Sequence, residues 1–111
     1  MFKQYINSGK ERLELLTKYR ELAAKVKEIV RNDYKDARIY VFGSVLKGRF
    51  TASSDVDILI VCDNIDKDRR AELKANILRT VGLYAPIELH IASTKEFKEW
   101  YMRFITEINE I

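Results

Sequence analysis

The sequence predicts a single α/β or α+β domain in which a small mixed β-sheet carries helices mainly on one face. Three observations carry this prediction. A helical stripe of apolar residues comes first, two short β-rich runs then flank a Gly-Ser turn, and a helical pattern separates the second run from a third. A chain of 111 residues can bury one core but not two. We therefore expect residues 1–111 to form one domain.

The composition indicates a folded protein that lies outside the membrane. Hydrophobic residues make up 47% and charged residues 33% of the chain. No apolar run reaches the ~20 residues that cross a bilayer, and the N-terminus lacks the apolar segment of a secretory signal. The single cysteine, Cys62, fits a reducing compartment, so we expect a cytoplasmic location. The net charge of +3 comes from interleaved basic and acidic residues and supports nucleic-acid binding only weakly.

The first helix is predicted from a capping box and a long apolar stripe. Ser8 and Glu11 have the Ser-x-x-Glu spacing of that box. Apolar residues then recur in steps of three and four as far as Val30, which describes one buried face. We expect this helix to end near Asn32 and Asp33.

Two strands and a turn follow. Residues 38–42 read as a short strand, Gly43 and Ser44 turn the chain, and residues 45–54 form a helical turn and a loop. The near-continuous apolar run 56–62 predicts a central strand.

The second half of the chain predicts a helix, a strand and a last helix. Residues 63–66 cap a helix that Gly82 ends, and residues 87–91 alternate as a strand behind Pro86. Ser93 and Glu96 form a second capping box. The last helix is expected to carry one apolar stripe, made of Phe97, Trp100, Tyr101, Phe104, Ile105 and Ile108.

Carboxylates mark the predicted sheet. Because side chains alternate along a strand, Asp55 and Asp57 should share one face, with Cα atoms about 6.6 Å apart. Two carboxylates so close repel each other, and a hard divalent cation, Mg²⁺ or Mn²⁺, is their natural partner. Alternation also turns Glu88 and His90 away from the buried face of the third strand. An EF-hand is excluded because Leu59 and Ile60 stand where such a loop needs an oxygen ligand and glycine.

The segment from Phe42 to Asp57, FGSVLKGRFTASSDVD, resembles the signature of DNA polymerase β-type nucleotidyltransferases, and most of all the minimal nucleotidyltransferases. The resemblance covers residues 37–92 and implies a polymerase β-like fold. It assigns metal binding and catalysis to Asp55, Asp57 and a third carboxylate, Glu88, which would help to activate the acceptor hydroxyl. Family members commonly have aspartate at that third position. Residues expected to hold the triphosphate are Gly43, Ser44, Lys47 and Gly48, with Arg49 as a weaker candidate.

The resemblance also implies a reaction and a partner. The expected reaction moves AMP from ATP to a hydroxyl and releases pyrophosphate. Minimal nucleotidyltransferases are often paired with small helical HEPN-domain proteins in toxin–antitoxin modules, where the transferase modifies a tyrosine of the toxin. Only about twenty residues follow Glu88. We therefore expect the acceptor surface to come from a partner or from a second copy in a homo-oligomer.

Alternatives stay open. The domain could be a catalytically weak or inactive binding module that neutralises its partner sterically through the last helix. The aromatic stripe of that helix could cover the domain's own core or a partner. A small-molecule transferase is disfavoured because no substrate-binding domain follows. His90 is either structural or part of the site, and Cys62 is expected to be a core residue without chemistry.

Overall fold

A four-stranded mixed sheet lies at the centre of the computed structural model, which describes residues 9–83, 85–104 and 107–111 and, for Phe104, only the backbone. The strands are β1 (Arg38–Phe42), β2 (Val56–Val61), β3 (Ile87–Ala92) and β4 (Ile108–Glu110). Their order across the sheet is β3-β2-β1-β4. Strands β2 and β3 run parallel, whereas β1 is antiparallel to both β2 and β4. The predicted small mixed sheet is therefore confirmed, and β2 is central as expected.

Three helices cover one face of the sheet. They are α1 (Gly9–Thr17), α2 (Tyr19–Asp33) and α3 (Lys67–Val81). The main core lies between them and the sheet, because alternate strand residues such as Val41, Ile58 and Ile60 point toward Val26 and Ile77 of the helices. The other strand residues point to the opposite face, which is where Asp57 lies. This alternation separates the core from the candidate site.

The limits of α3 follow from its sequence. The Asp66 side chain accepts a hydrogen bond from the backbone N–H of Arg69 at 2.9 Å, as an N-cap does. Gly82 ends the helix with a φ of +116°, a conformation that a residue with a Cβ rarely adopts. Both predicted limits of this helix are confirmed.

The first predicted helix is wrong in one respect, because it is two helices. The chain turns at Lys18, where φ is −102° and ψ is 30°, and α2 starts at Tyr19. The Thr17 hydroxyl donates to the Glu14 carbonyl oxygen at 2.8 Å, so a side chain competes for a carbonyl of the last turn of α1. The predicted N-cap, Ser8, lies outside the described residues.

The C-terminal helical segment is α4 (Thr94–Glu96), a π-helical turn (Phe97–Tyr101) and α5 (Met102–Phe104). It starts at the predicted capping box, in which the Ser93 and Glu96 side chains bond to each other's backbone N–H. The segment packs on the face of the sheet opposite α2, where the Phe97 and Tyr40 rings stack at 4.9 Å. Helices thus lie mainly, but not only, on one face.

The predicted aromatic stripe on this segment is only partly correct. In the wide π turn, residues four apart share a side while residues three apart diverge. Phe97 and Tyr101 therefore face the sheet, but Trp100 is 62% exposed. Ile108 belongs to β4, a strand that was not predicted. Ile105 and the Phe104 side chain lie outside what the structure describes. Among the helices that it does describe, none has the length and apolar character of a membrane span.

Candidate active site

Three potential metal ligands meet on the open face of the sheet. Strands β2 and β3 are parallel, and their register puts Asp57 beside Glu88 and Leu59 beside His90. Because the pleat sends residues two apart to the same face, Asp57, Glu88 and His90 lie together. One ligand atom from each lies within 4.8 Å of the other two.

His90 is the centre of this group. Its Nε2 lies 3.5 Å from Oδ1 of Asp57 and 3.9 Å from Oε1 of Glu88. The side chains of Asp57 and His90 are about one quarter exposed, at 25% and 27%, whereas that of Glu88 is 60% exposed. The group is therefore more open to a ligand on the Glu88 side than on the Asp57 side.

The electrostatics of Asp57 favour a bound cation. Burial raises the pKa of its carboxyl above the usual range, the hydrogen bond with His90 lowers it, and the nearby Glu88 carboxylate raises it. A divalent cation relieves both the desolvation of Asp57 and its repulsion from Glu88. Two carboxylates and an imidazole are also donors that divalent metals accept. The residues present therefore fit a divalent metal ion.

Gly43 lies directly against this group. Its φ of +93° favours glycine, and a Cβ at this position would overlap Oδ2 of Asp57. The register of β1 on β2 explains the contact, because Phe42 pairs with Asp57 and Gly43 is the next residue. The structure thus brings the predicted glycine turn and one predicted carboxylate into contact.

The other residues predicted to hold a triphosphate follow in a short 3₁₀ turn, Ser44–Lys47. The turn is closed by Gly48, whose backbone N–H donates to the Val45 carbonyl oxygen at 3.2 Å and whose φ is +67°. Ser44, Lys47, Gly48 and Arg49 are all exposed. They are available to a ligand at the end of β1.

Asp55 is not brought into the three-residue group. It precedes β2, and its Oδ1 accepts a hydrogen bond from the Arg12 guanidinium at 3.1 Å. Arg12 also donates to the carbonyl oxygens of Ala52 and Ser54, the latter at 2.9 Å. One side chain of α1 therefore fixes the loop that leads into the site strand.

The sequence interpretation missed three residues that shape the site. Arg12 gave no signal, because it is one of 20 basic residues and lies 43 positions from Asp55. Phe42 and Tyr101 flank the His90 ring, with centroid distances of 5.3 and 6.3 Å. Phe42 could have been found, since alternation along β1 puts it on the face that carries Asp57.

Known proteins resemble this chain in sequence. Residues 23–111 match the sequence model of the nucleotidyltransferase domain family. A Methanocaldococcus jannaschii protein named as a putative protein adenylyltransferase is 35% identical over 51 residues, which is 46% of this chain and 51% of that protein. The chain therefore spans about half the length of this curated relative.

Two crystal structures are similar to most of this chain. One, of a protein named as a putative nucleotidyltransferase, is 36% identical with a TM-score of 0.68, and the match covers 79% of this chain and 95% of that one. The other, from Sulfolobus solfataricus and named in the same way, has a TM-score of 0.64 over 95% of this chain and 87% of that one. At 17% identity, the second match supports the fold alone. The resemblance seen in the sequence is confirmed, and the chain belongs to the nucleotidyltransferase domain family of enzymes.

Proposed function

We propose that this domain transfers AMP from ATP to a hydroxyl group in a reaction that depends on a divalent metal ion. The observation that carries the proposal is the contact between the Gly43 turn and the group formed by Asp57, Glu88 and His90. A glycine turn next to two carboxylates is suited to a metal-bound triphosphate. The family match supports the same reaction class.

Each residue has a separate task in this proposal. Asp57 and Glu88 hold the metal, and Asp55 adds a third carboxylate if a ligand draws it away from Arg12. The metal supplies positive charge at the phosphates. The turn residues hold the triphosphate: Gly43 admits it without a Cβ, Ser44 donates from its hydroxyl and Lys47 donates from its ammonium group, with Gly48 closing the turn.

The transfer step is a nucleophilic substitution at the α-phosphorus. The acceptor oxygen forms a bond to the α-phosphorus while the bond to the oxygen that bridges to the β-phosphate breaks. Pyrophosphate leaves with that electron pair. The hydroxyl proton passes to the Glu88 carboxylate, which is the more exposed of the two carboxylates on β2 and β3 and can reach an incoming acceptor.

We further propose that the acceptor is a hydroxyl of a partner protein, a tyrosine of a small helical HEPN-domain toxin. The name of the M. jannaschii relative, a protein adenylyltransferase, supports a protein acceptor. In this role the domain acts as an antitoxin that modifies its toxin.

A second candidate function is favoured by the position of Asp55. A carboxylate that is held by Arg12 outside the metal group is also what an inactive site would show. In that case the domain acts as a binding module that covers its partner sterically. The exposed Trp100 and Met102 of the C-terminal helical segment are suited to such an interface.

Label transfer from α-³²P ATP separates the two functions. The wild-type protein, Asp57→Asn and Asp36→Asn are each incubated with Mg²⁺ or Mn²⁺ in a lysate of the source cells. Asp36 is an exposed aspartate just before β1 and serves as the matched control. We expect label on one protein band with the wild type and with Asp36→Asn, and none with Asp57→Asn. Equal label with all three proteins, or no label with any of them, contradicts the enzymatic function. Neutralisation of the partner by the Asp57→Asn variant supports the steric function.

A further inference from the structure

His90 lies where a ligand to the same metal ion would lie. Its Nε2 faces both carboxylates, 3.5 Å from Asp57 and 3.9 Å from Glu88. Two ligands that are each about 2.1 Å from one ion lie about 3.0 Å apart at a right angle and about 3.4 Å apart at the tetrahedral angle. The observed distances exceed these values by less than 1 Å. The ligand atoms of Asp57 and Glu88 lie within 4.8 Å of each other, so rotation of the exposed Glu88 side chain would bring all three atoms onto one ion.

The aromatic neighbours of His90 restrict the orientation of its ring. Phe42 of β1 lies at a centroid distance of 5.3 Å with an interplanar angle of 51°. The Tyr101 ring of the π-helical turn lies at a centroid distance of 6.3 Å and an interplanar angle of 71°, a T-shaped arrangement with the imidazole. The imidazole is therefore held between the sheet and the C-terminal helical segment, with Nε2 turned to the carboxylates. Preorganisation of this kind is typical of a ligand side chain.

We propose that His90 is a metal ligand and that the site therefore selects a first-row transition ion, represented here by Mn²⁺, over Mg²⁺. This inference rests on the proposed function and deepens it, because it concerns which metal that site uses. Magnesium is a hard ion that takes oxygen ligands and keeps several waters. A nitrogen ligand favours transition ions, whose affinity for imidazole exceeds that of Mg²⁺. One histidine next to two carboxylates thus favours a transition ion over Mg²⁺.

The chain offers a direct spectroscopic test, because His90 is its only histidine. Mn²⁺ alone is added to the protein without an affinity tag, and pulsed electron paramagnetic resonance detects ¹⁴N nuclei near the bound ion. An imidazole ¹⁴N signal can come only from His90. This signal is read on the wild-type chain, so it does not depend on the folding of any variant.

A competition titration measures the selectivity. We expect the wild type to bind Mn²⁺ more tightly than Mg²⁺. We expect His90→Gln to weaken Mn²⁺ binding by at least about tenfold, a loss that mutation of the groups around metal ligands already causes. Binding of Mg²⁺ should change far less. Thermal unfolding of His90→Gln shows whether that variant is folded, and His90→Asn, with a shorter amide, repeats the test.

Two outcomes would overturn the inference, and each is distinguishable from failure of the proposed function. If Mn²⁺ binds but gives no imidazole ¹⁴N signal, His90 is not a ligand. The proposed function is still supported in that case if label transfer is lost in Asp57→Asn. No Mn²⁺ binding by the wild type also overturns it, and label transfer in the presence of a chelator then shows whether the reaction needs a metal at all. A ¹⁴N signal with no label transfer supports the metal site and contradicts the enzymatic function.

Discussion

The Asp57 carboxylate lies against the backbone of Gly43, so closely that a Cβ on residue 43 would overlap its Oδ2. The two residues come from adjacent strands, and the contact follows from the antiparallel pairing of Phe42 with Asp57. The absence of a side chain at residue 43 thus leaves room for the carboxylate that we propose as a metal ligand. The glycine has two roles here, since its φ of +93° also turns the chain into the 3₁₀ turn.

Gly43→Ala is expected to destabilise the fold and to displace Asp57. The strained φ costs on the order of 1–3 kcal/mol, and the clash with Oδ2 adds to it. Urea unfolding measures the stability, and a Mn²⁺ titration measures the loss of metal binding.

Gly48→Ala is the matched comparison for this substitution. Gly48 also has a positive φ, +67°, but open space surrounds the position of a Cβ. The Gly48→Ala variant should lose about 1 kcal/mol of unfolding free energy through backbone strain and should retain metal binding. Equal effects of the two substitutions on metal affinity would contradict the role given to the Gly43–Asp57 contact.

Arg12→Ala is expected to lower the free energy of unfolding by about 1–3 kcal/mol, because Arg12 makes charge-assisted hydrogen bonds to two carbonyl oxygens and one carboxylate of the loop before β2. Transfer activity should fall as well, since the two backbone contacts of Arg12 hold the loop that leads into β2 and so to Asp57. Lysine cannot reproduce the forked contact, so Arg12→Lys should recover little of the loss.

Lys25→Ala is the control for Arg12→Ala. Lys25 pairs with Glu28 at 3.7 Å one turn along α2, where the Lys25 side chain is 22% exposed and the Glu28 side chain is 74% exposed. Its loss should cost less than about 0.5 kcal/mol. Denaturant unfolding compares the two variants, and an Arg12→Ala variant that is no less stable than Lys25→Ala contradicts the anchoring role.

The features that could be predicted from the sequence are those that depend on residues close together in the chain. Strand alternation is a property of the backbone itself, so the common face of Asp57, Glu88 and His90 could be expected before the structure. The caps of α3 and α4 are likewise set by residues within one turn. Such features need no knowledge of distant contacts.

Features that depend on distant contacts were not predictable. The ion pair of Asp55 with Arg12 joins two elements through tertiary packing. Strand β4 has three residues, too few to show an alternation pattern, and it exists because β1 offers it an edge. The π-helical turn that exposes Trp100 also has no sequence pattern of its own.

Acid should selectively weaken the C-terminal helical segment through Glu96. Its Oε1 accepts hydrogen bonds from Arg70 at 2.8 Å and from the Ser93 N–H at 2.9 Å. These contacts, that of Arg70 foremost, lower the pKa of Glu96 to about 2 from the usual 4.5. Because the pKa is lower in the folded state, the contribution of Glu96 is fully present above about pH 4.5. It is lost as the pH falls toward 2.

The difference in unfolding free energy between the wild type and Glu96→Gln separates the contribution of Glu96 from those of the other carboxylates. At pH 7 the variant should be less stable by about 1 kcal/mol, a small value because the Glu96 side chain is 46% exposed to screening water. The difference should shrink between pH 4.5 and pH 2, as measured by urea unfolding at several pH values. A difference that stays constant over this range would show that the charge of Glu96 has no such role.

Bound metal and nucleotide should stabilise the domain against heat. A ligand at ten times its Kd adds about 1.4 kcal/mol, which corresponds to a rise of about 5 °C in Tm for a domain of this size. We expect this rise with Mn²⁺ and ATP together and its loss when a chelator is added.

Asp57→Asn should separate ligand binding from folding. The raised pKa of Asp57 means that the fold disfavours the charged carboxylate, first through burial and also through the repulsion from Glu88. At a pH above the ordinary pKa of the carboxyl group, an uncharged asparagine removes both of these unfavourable contributions to the free energy of folding. At neutral pH and without metal, the variant should therefore be at least as stable as the wild type, but its Tm should not respond to Mn²⁺ and ATP. Differential scanning calorimetry with and without these ligands measures both effects. A ligand-induced rise that survives in Asp57→Asn would mean that metal and nucleotide bind elsewhere on the domain.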